Sequence, residues 1–256
     1  ISLTYVYKNY KLGIYNLFIA LAFISISFLI GERSNFIKTF IIVQLFIIFI
    51  YEIKIRYKIF FFLSIFTIIF LVLNFNENYK LRYFDQIKNV FKKNGLENYI
   101  DNSLYGAHYK VALKIFYDNP YFGVGIKNFR VESFNKKYEG ILNTENQNFE
   151  QGDKNFKGWT GGSTHPHQIH FEILSETGIF GYSCFVIFII SSFIIFLKTY
   201  LINKNIYQFS GMLFVLVSLI PLLPSGSFFS TYTAGLFWIN YAMMTGYSIN
   251  TSNPKI

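Results

Sequence analysis

The sequence is poor in charge: Asp, Glu, Lys and Arg make up 14% of its 256 residues, against about 25% in an ordinary soluble domain. That shortfall argues against a free-standing water-soluble enzyme and for a chain that lives in a membrane. Cysteine is almost absent. The single Cys184 lies in an apolar run, which excludes a disulfide framework and a cysteine-type zinc site and leaves it as a small apolar filler. There is no initiator Met and no signal peptide of the usual layout, so the chain reads as part of something longer. What it has in excess is apolar surface: 52% hydrophobic residues, 32 of them Phe, and a mean hydropathy of +0.34.

A hydrocarbon core of ~30 Å needs roughly 20 apolar residues of helix. Runs of this kind cover Leu12–Ile30, Phe36–Tyr51, Tyr57–Phe75, Gly178–Leu197, Phe209–Leu223 and Gly226–Tyr247. The second carries Lys38 near one end, where it can snorkel, and the fifth is interrupted by Pro221 and Pro224. The expected fold is all-α: a polytopic bundle of about six spans, with 1–75 holding three, 76–177 forming a large polar loop, and 178–256 holding three more and a short tail.

Charge placement orients the bundle. Lys8 and Lys11, then Lys54, Arg56 and Lys58, then Lys198 and Lys204, and finally Lys255 all fall on one side if six spans alternate. That side is expected to be cytoplasmic, which puts the Gly31–Asn35 turn, the long loop and the Pro224–Ser227 turn on the other. The loop from Asn76 to Thr177 has 13 basic and 12 acidic residues, so nearly all of the net +9 comes from the 10 basic and 2 acidic residues outside it. The basic balance is therefore topogenic and excludes nucleic acid as the expected partner. No convincing internal repeat is present. Within the loop, Leu104–Tyr117 has apolar residues at helical spacing and reads as an amphipathic helix near the membrane or packed over the spans. Asn143–Asn155 is polar and low in apolar content, and reads as flexible.

Four features have chemical potential. Arg33, in Gly31-Glu32-Arg33-Ser34, is either a phosphate anchor or an ordinary Arg paired with Glu32 or a lipid headgroup. Asn119-Pro120-Tyr121-Phe122-Gly123-Val124-Gly125 forces a tight turn after the amphipathic helix; as a phosphate loop it is weak, because no strand precedes it. Three of the four histidines, His165, His167 and His170, lie within six residues just before the fourth run. They suit proton transfer near neutral pH. The alternatives are a zinc site, which Pro166 makes awkward on one helix and for which no acidic ligand beyond Glu172 is obvious, or an interfacial cluster without chemistry. Pro221 to Ser230 breaks a helix at a span end, and either shapes a cavity or turns the chain.

Together these features resemble the O-antigen polymerase and ligase superfamily, membrane glycosyltransferases that act on lipid-diphosphate-linked sugars. The strongest part is His167-Gln168, then nine residues, then Gly178 and Gly181. It is similar to the family's signature of His followed by a small polar residue or Gln, a fixed gap, and a Gly-x-x-Gly entry into the next span. Asn-Pro-Tyr-Phe-Gly-Val-Gly is similar to the loop element that precedes it, and Arg33 resembles the family's outer-face arginine. The resemblance implies a GT-C-type bundle of which this chain is the C-terminal half. It implies His167 and Arg33 as catalytic residues, and His108, Lys110, Arg130, His165 and Gln168 as substrate contacts. For the family's second loop arginine the candidates by resemblance are Lys110, Arg82 and Arg130.

The same resemblance implies an enzyme of the bacterial inner membrane, with its site facing the periplasm and neither metal nor cofactor. Its substrate would be an undecaprenyl-diphosphate-linked oligosaccharide held in the lipid bilayer, and a chain-length regulator is a candidate partner. The expected reaction is polymerisation of repeat units, in O-antigen or a related surface polysaccharide. The nearest alternative is a ligase that transfers finished polymer to a lipid A core sugar. A transporter or flippase would carry ionisable residues inside its spans, and these spans carry almost none. A non-catalytic glycan-binding protein would tolerate His167→Ala.

Overall fold

The computed structural model describes residues 10–49, 54–85, 88, 95, 100, 103–138 and 162–249, and among them all regular structure is helical. The expected flexible segment Asn143–Asn155 lies outside the described residues, as do Lys8 and Lys255 and the side chains of Lys11 and Arg82. In chain order the elements are α1 (Tyr10–Ile30), α2 (Arg33–Phe49), α3 (Ile55–Phe75), a short α4 (Glu77–Lys80) running into a π turn (Leu81–Asp85), α5 (Leu104–Asp118), α6 (Phe129–Glu132), a 3-10 turn (Lys136–Tyr138), α7 (Ile169–Asn203), α8 (Ile206–Ser218) and α9 (Thr231–Ile249).

Among the described residues, two helices are long and apolar enough to cross a membrane: α3, and Ile169–Ile202 within α7. Only 11% and 17% of their most apolar stretches are buried inside the protein, so these stretches turn their side chains outward, as lipid-facing helices do. The other expected spans are less regular. Leu17–Ile30 of α1 is apolar but shorter. The run Phe209–Leu223 becomes a helix that stops at Ser218 after 13 residues, roughly 20 Å at 1.5 Å per residue. It stops there because Pro221 and Pro224 lack an N–H, and each proline disfavours helix in the residue before it. Likewise α9 begins at Thr231, not at Gly226. Helix length and composition thus carry two of the six expected spans.

The chain divides into two compact units, one of Ile1–Lys88, Phe193–Ser218 and Phe237–Ile256, the other of Asn89–Ser192 and Leu219–Leu236. In the first, α1, α2 and α3 meet around Ala20, Ile24, Val43, Ile47, Phe61 and Ile65. A second cluster joins Phe46, Phe196, Phe209, Leu213 and Met244. There α8 approaches α9 so closely that a Cβ on Gly211 would lie 2.6 Å from the Asn240 carbonyl oxygen; small residues permit such crossings in membrane bundles. Hydroxyls inside apolar helices are satisfied locally: Ser25, Ser64, Thr67, Ser192 and Ser218 each donate to the carbonyl four residues back. At the end of α1, where the regular hydrogen-bond ladder runs out, the hydroxyls of Tyr79 and Tyr83 donate to the carbonyls of Leu29 and Phe28, the latter also accepting from the Gly31 N–H.

In the second unit, α5 bears out the expected amphipathic helix. Ser103 caps it, accepting from the Gly106 N–H at 2.9 Å. Its Val111, Ala112 and Ile115 are buried with Phe129 and Tyr138. His108 and Tyr109 share the buried side.

Candidate active site

The second unit is organised by the first turns of α7. Gln168 is 1% exposed, and its Oε1 accepts from the N–H groups of His170 (2.7 Å) and Phe171 (3.2 Å), which caps the helix. Glu172 and Glu176 follow one turn apart, both buried. Glu172 accepts from the Ser227 hydroxyl and from the Phe228 N–H at 2.6 Å. Glu176 accepts from the N–H groups of Lys127 (2.6 Å) and Phe129 (3.1 Å). Each carboxylate thereby holds a different loop against α7: Glu172 the turn after α8, Glu176 the loop after α5. Buried carboxylates need such partners.

Gly178 interrupts α7 with φ 65° and ψ −169°, a conformation essentially confined to glycine. The break frees the carbonyls of Ser175 and Glu176 and the N–H groups of Ile179 and Phe180. The loop after α5 fills all four places. Val124 and Gly125 donate to Ser175 and Glu176 at 3.1 and 2.8 Å, while Ile179 and Phe180 donate to Pro120 and Tyr121 at 2.8 and 3.4 Å. The backbones are so close that a Cβ on Gly178 would lie 2.3 Å from the Tyr121 oxygen, and one on Gly123 would lie 2.4 Å from the Glu176 carbonyl carbon. This settles the role of Gly123-Val124-Gly125. The N–H groups of Val124 and Gly125 are taken by α7 and that of Gly123 by the Asn119 carbonyl, so it is a splice into a broken helix and not a phosphate cradle.

The histidines meet where these elements converge. His167, just before the cap, has φ 57°, an uncommon conformation for a residue with a Cβ; such conformations cluster at functional sites. Its ring centroid lies 4.1 Å from that of His165, 5.0 Å from His108 and 5.6 Å from Tyr105. Its Nε2 is 3.5 Å from the Ser163 hydroxyl, a contact at the limit of a hydrogen bond. Its carbonyl accepts from the Ser225 N–H at 2.7 Å, which pins the Pro-Ser-Gly turn to the cluster. Burial, then the neighbouring His165 and His108, push the His167 pKa down to about 4. Burial also lowers His165, opposed by the Ser225 backbone beside its ring. At neutral pH His165 and His167 are therefore uncharged, and a neutral imidazole keeps one nitrogen free to accept a proton.

A family model described as O-antigen ligase, Wzy_C, matches residues 17–186. The chain belongs to this family. Members of the O-antigen ligase family are membrane enzymes of surface polysaccharide synthesis, ligases and polymerases of the glycosyltransferase type. The match runs from α1 to the first part of α7 and includes Arg33, His108 and the whole histidine cluster; the Ser225 turn lies beyond it. Among curated proteins, none matches the chain.

Of the residues picked out from the sequence, the structure brings His108, His165 and His167 together. Gln168 is next to them, with its carbonyl oxygen committed to capping. Lys110 is half-buried on α5, and Arg130 is exposed on α6, where its charge acts on Glu176. Arg33 is in the first unit and opens α2, after a turn in which Gly31 takes φ 81°. A cation at a helix N-terminus runs against the helix dipole, so local helix stability does not explain it. His170 sits apart from the cluster's chemistry. Its Nε2 faces the Leu219 carbonyl at 2.9 Å and must donate there, so its Nδ1 accepts from Tyr182 at 3.1 Å. With both nitrogens engaged, His170 is a poor third ligand for a metal at His165 and His167, and no group of three or more His, Cys, Asp or Glu side chains is placed to hold a metal ion among the described residues. Sequence reasoning missed Tyr105, Ser163, Ser225, and Glu172 as a loop anchor. The Pro-Ser-Gly breaker was the one signal that led toward Ser225.

Proposed function

We propose that this chain polymerises undecaprenyl-diphosphate-linked oligosaccharide repeats at the periplasmic face of the bacterial inner membrane, with no metal or cofactor. The observation that carries the reading is the His167 ring, uncharged, half-buried and held among His108, His165 and Tyr105 on a strained backbone. A hydroxyl of one lipid-linked unit attacks the anomeric carbon of another. The new C–O bond forms as the bond to diphosphate breaks, with inversion, and lipid diphosphate leaves with the electron pair. His167 accepts the hydroxyl proton, which passes on to solvent. General-base help of this kind is typically worth about 10²–10⁴-fold. A diphosphate nearby would raise the His167 pKa toward its working range.

The leaving group needs a preorganised cation, the role given to Arg33, with Lys110 or Arg130 as a second contact. An apolar cleft of about 470 Å³ along α1 and α2 runs from Ala20 and Phe23 to Glu32 and Asn35, on either side of Arg33 in sequence. It offers the lipid tail an apolar seat.

The family description favours a second reading, transfer of finished polymer to a lipid A core. The two share a site and differ in acceptor. Complementation of a polymerase-null strain with the full-length gene, and with His167→Ala and Arg33→Ala at equal membrane levels, tests both. Wild type should restore a polysaccharide ladder and each variant should leave single-repeat products. A full ladder from both variants refutes the site, and wild type that changes only attachment to the core makes the protein a ligase.

A further inference from the structure

Two buried polar atoms beside His167, His165 Nε2 and Ser225 Oγ, have no hydrogen-bond partner among the described residues; the Ser225 backbone lies beside the His165 ring without closing a hydrogen bond to Nε2. The other nitrogen of His165 is engaged, with Nδ1 3.0 Å from the Thr164 hydroxyl. The Ser225 backbone is likewise engaged through its N–H on the His167 carbonyl, so both side chains are fixed while one polar atom of each goes unmatched. A buried unmatched polar group costs roughly 1–3 kcal/mol, and native structures retain such groups where something else completes them. Both groups are uncharged at neutral pH, since burial lowers the His165 pKa and a serine hydroxyl does not titrate. A hydroxyl and an imidazole nitrogen each pair with an alcohol, as donor or acceptor. A diphosphate would call for cations instead, whereas the side chains that meet His167 are the rings of His165, His108 and Tyr105 and the Ser163 hydroxyl.

We propose that His165 Nε2 and Ser225 Oγ form a hydroxyl-binding subsite that seats the acceptor sugar and presents its reacting hydroxyl to His167. The inference rests on the glycosyltransferase reading and deepens it. Ser225 and His165 are positioning residues of the acceptor side; the diphosphate-linked donor is held elsewhere. The Pro221–Ser230 breaker thereby gains a purpose, since it carries Ser225 to the cluster and is locked there by Glu172 through Ser227 and Phe228.

The test uses the full-length protein in nanodiscs, the lipid-diphosphate-linked repeat unit as donor, and the octyl glycoside of the same repeat unit, prepared from the strain's own polysaccharide, as acceptor. Ser225→Ala should raise the acceptor KM by about tenfold, the factor that the loss of one hydrogen bond near 1.4 kcal/mol produces, and leave the donor KM unchanged. Ser225→Thr, which keeps the hydroxyl, should restore it. His165→Phe, which keeps a ring against His167, should act like Ser225→Ala and serves alone if that variant does not accumulate. A series of acceptors each lacking one hydroxyl sharpens the result: wild type should lose about tenfold on one of them, and the variant should lose nothing further on that one. An unchanged acceptor KM in both variants, or an equal rise for donor and acceptor, overturns the subsite while leaving the enzyme assignment intact. Wild type that transfers no sugar to any acceptor removes the assignment itself, and the subsite with it.

Discussion

Replacing Gly178 by Ala tests the exchange of hydrogen bonds at the break in α7. Alanine at φ 65°, ψ −169° costs about 1–3 kcal/mol in backbone strain. The new Cβ would also lie 2.3 Å from the Tyr121 oxygen, and because that atom is backbone, relief requires the loop to withdraw. Withdrawal gives up the four backbone bonds that Pro120, Tyr121, Val124 and Gly125 make with α7, each worth about 1 kcal/mol net. Because the clash rules out keeping the loop in place, the release of the four bonds sets the cost, and the expected loss is about 3–5 kcal/mol. Unfolding in an SDS titration of reconstituted protein would read it. Gly235→Ala is the control, since a Cβ there meets nothing within 4 Å, and it should be neutral or slightly stabilising because alanine favours helix. A Gly178→Ala protein within about 1 kcal/mol of wild type would show that the loop does not complete the helix.

Three further outcomes are expected. The His167 pKa is about 4 in the folded chain against 6.5 for a free imidazole, so the unfolded chain binds more protons between these values and stability falls as pH drops from 6.5 toward 4. Thermal midpoints at pH 7 and pH 5 should therefore separate more for wild type than for His167→Asn; equal separations would mean that burial does not depress this histidine. Glu172→Gln keeps the shape but replaces one accepting oxygen with an amide donor facing Ser227 or the Phe228 N–H, and should cost about 1–3 kcal/mol and raise proteolysis after Pro224. A variant as resistant as wild type would show that the turn is held by other contacts. Gln44 on α2 is 7% exposed with both amide atoms unpartnered among the described residues, so Gln44→Leu should stabilise the first unit by about 1–2 kcal/mol in the same SDS titration, and a loss of stability would reveal a partner for that amide.

The sequence was readable where one side chain type carries the signal. Apolar spacing gave α5 within a residue of its end, the prolines gave the break after α8, and clustered histidines gave the candidate site. It was less readable where backbone carries the structure. Nothing in the side chains of Pro120, Tyr121, Ser175 or Glu176 announces that their carbonyls trade partners; only the glycines at 123, 125 and 178 mark the place, and glycine fits an ordinary turn equally well. Hydropathy located apolar runs but could not see that α8 ends at Ser218, because Leu219, Leu222 and Leu223 are as apolar as the helix before them. Gln168 is a substrate contact only by the family resemblance, and nothing in its sequence context announced that its oxygen caps α7. Ser225 carried no signal of its own, since a serine in a Pro-Ser-Gly turn is common and its meaning depends on where Glu172 anchors the turn.

The spliced break in α7 also bears on how loss-of-function variants are interpreted. Ser175 and Glu176 in the helix depend on a segment fifty residues earlier to occupy their carbonyls, so the loop after α5 has to be folded and in place before the broken helix can settle. A substitution at Asn119, Pro120 or Gly123 would then abolish polysaccharide by stalling assembly, with every chemical group in place. Such a variant would be silent about catalysis, and only its abundance and protease pattern would distinguish it from a true active-site lesion.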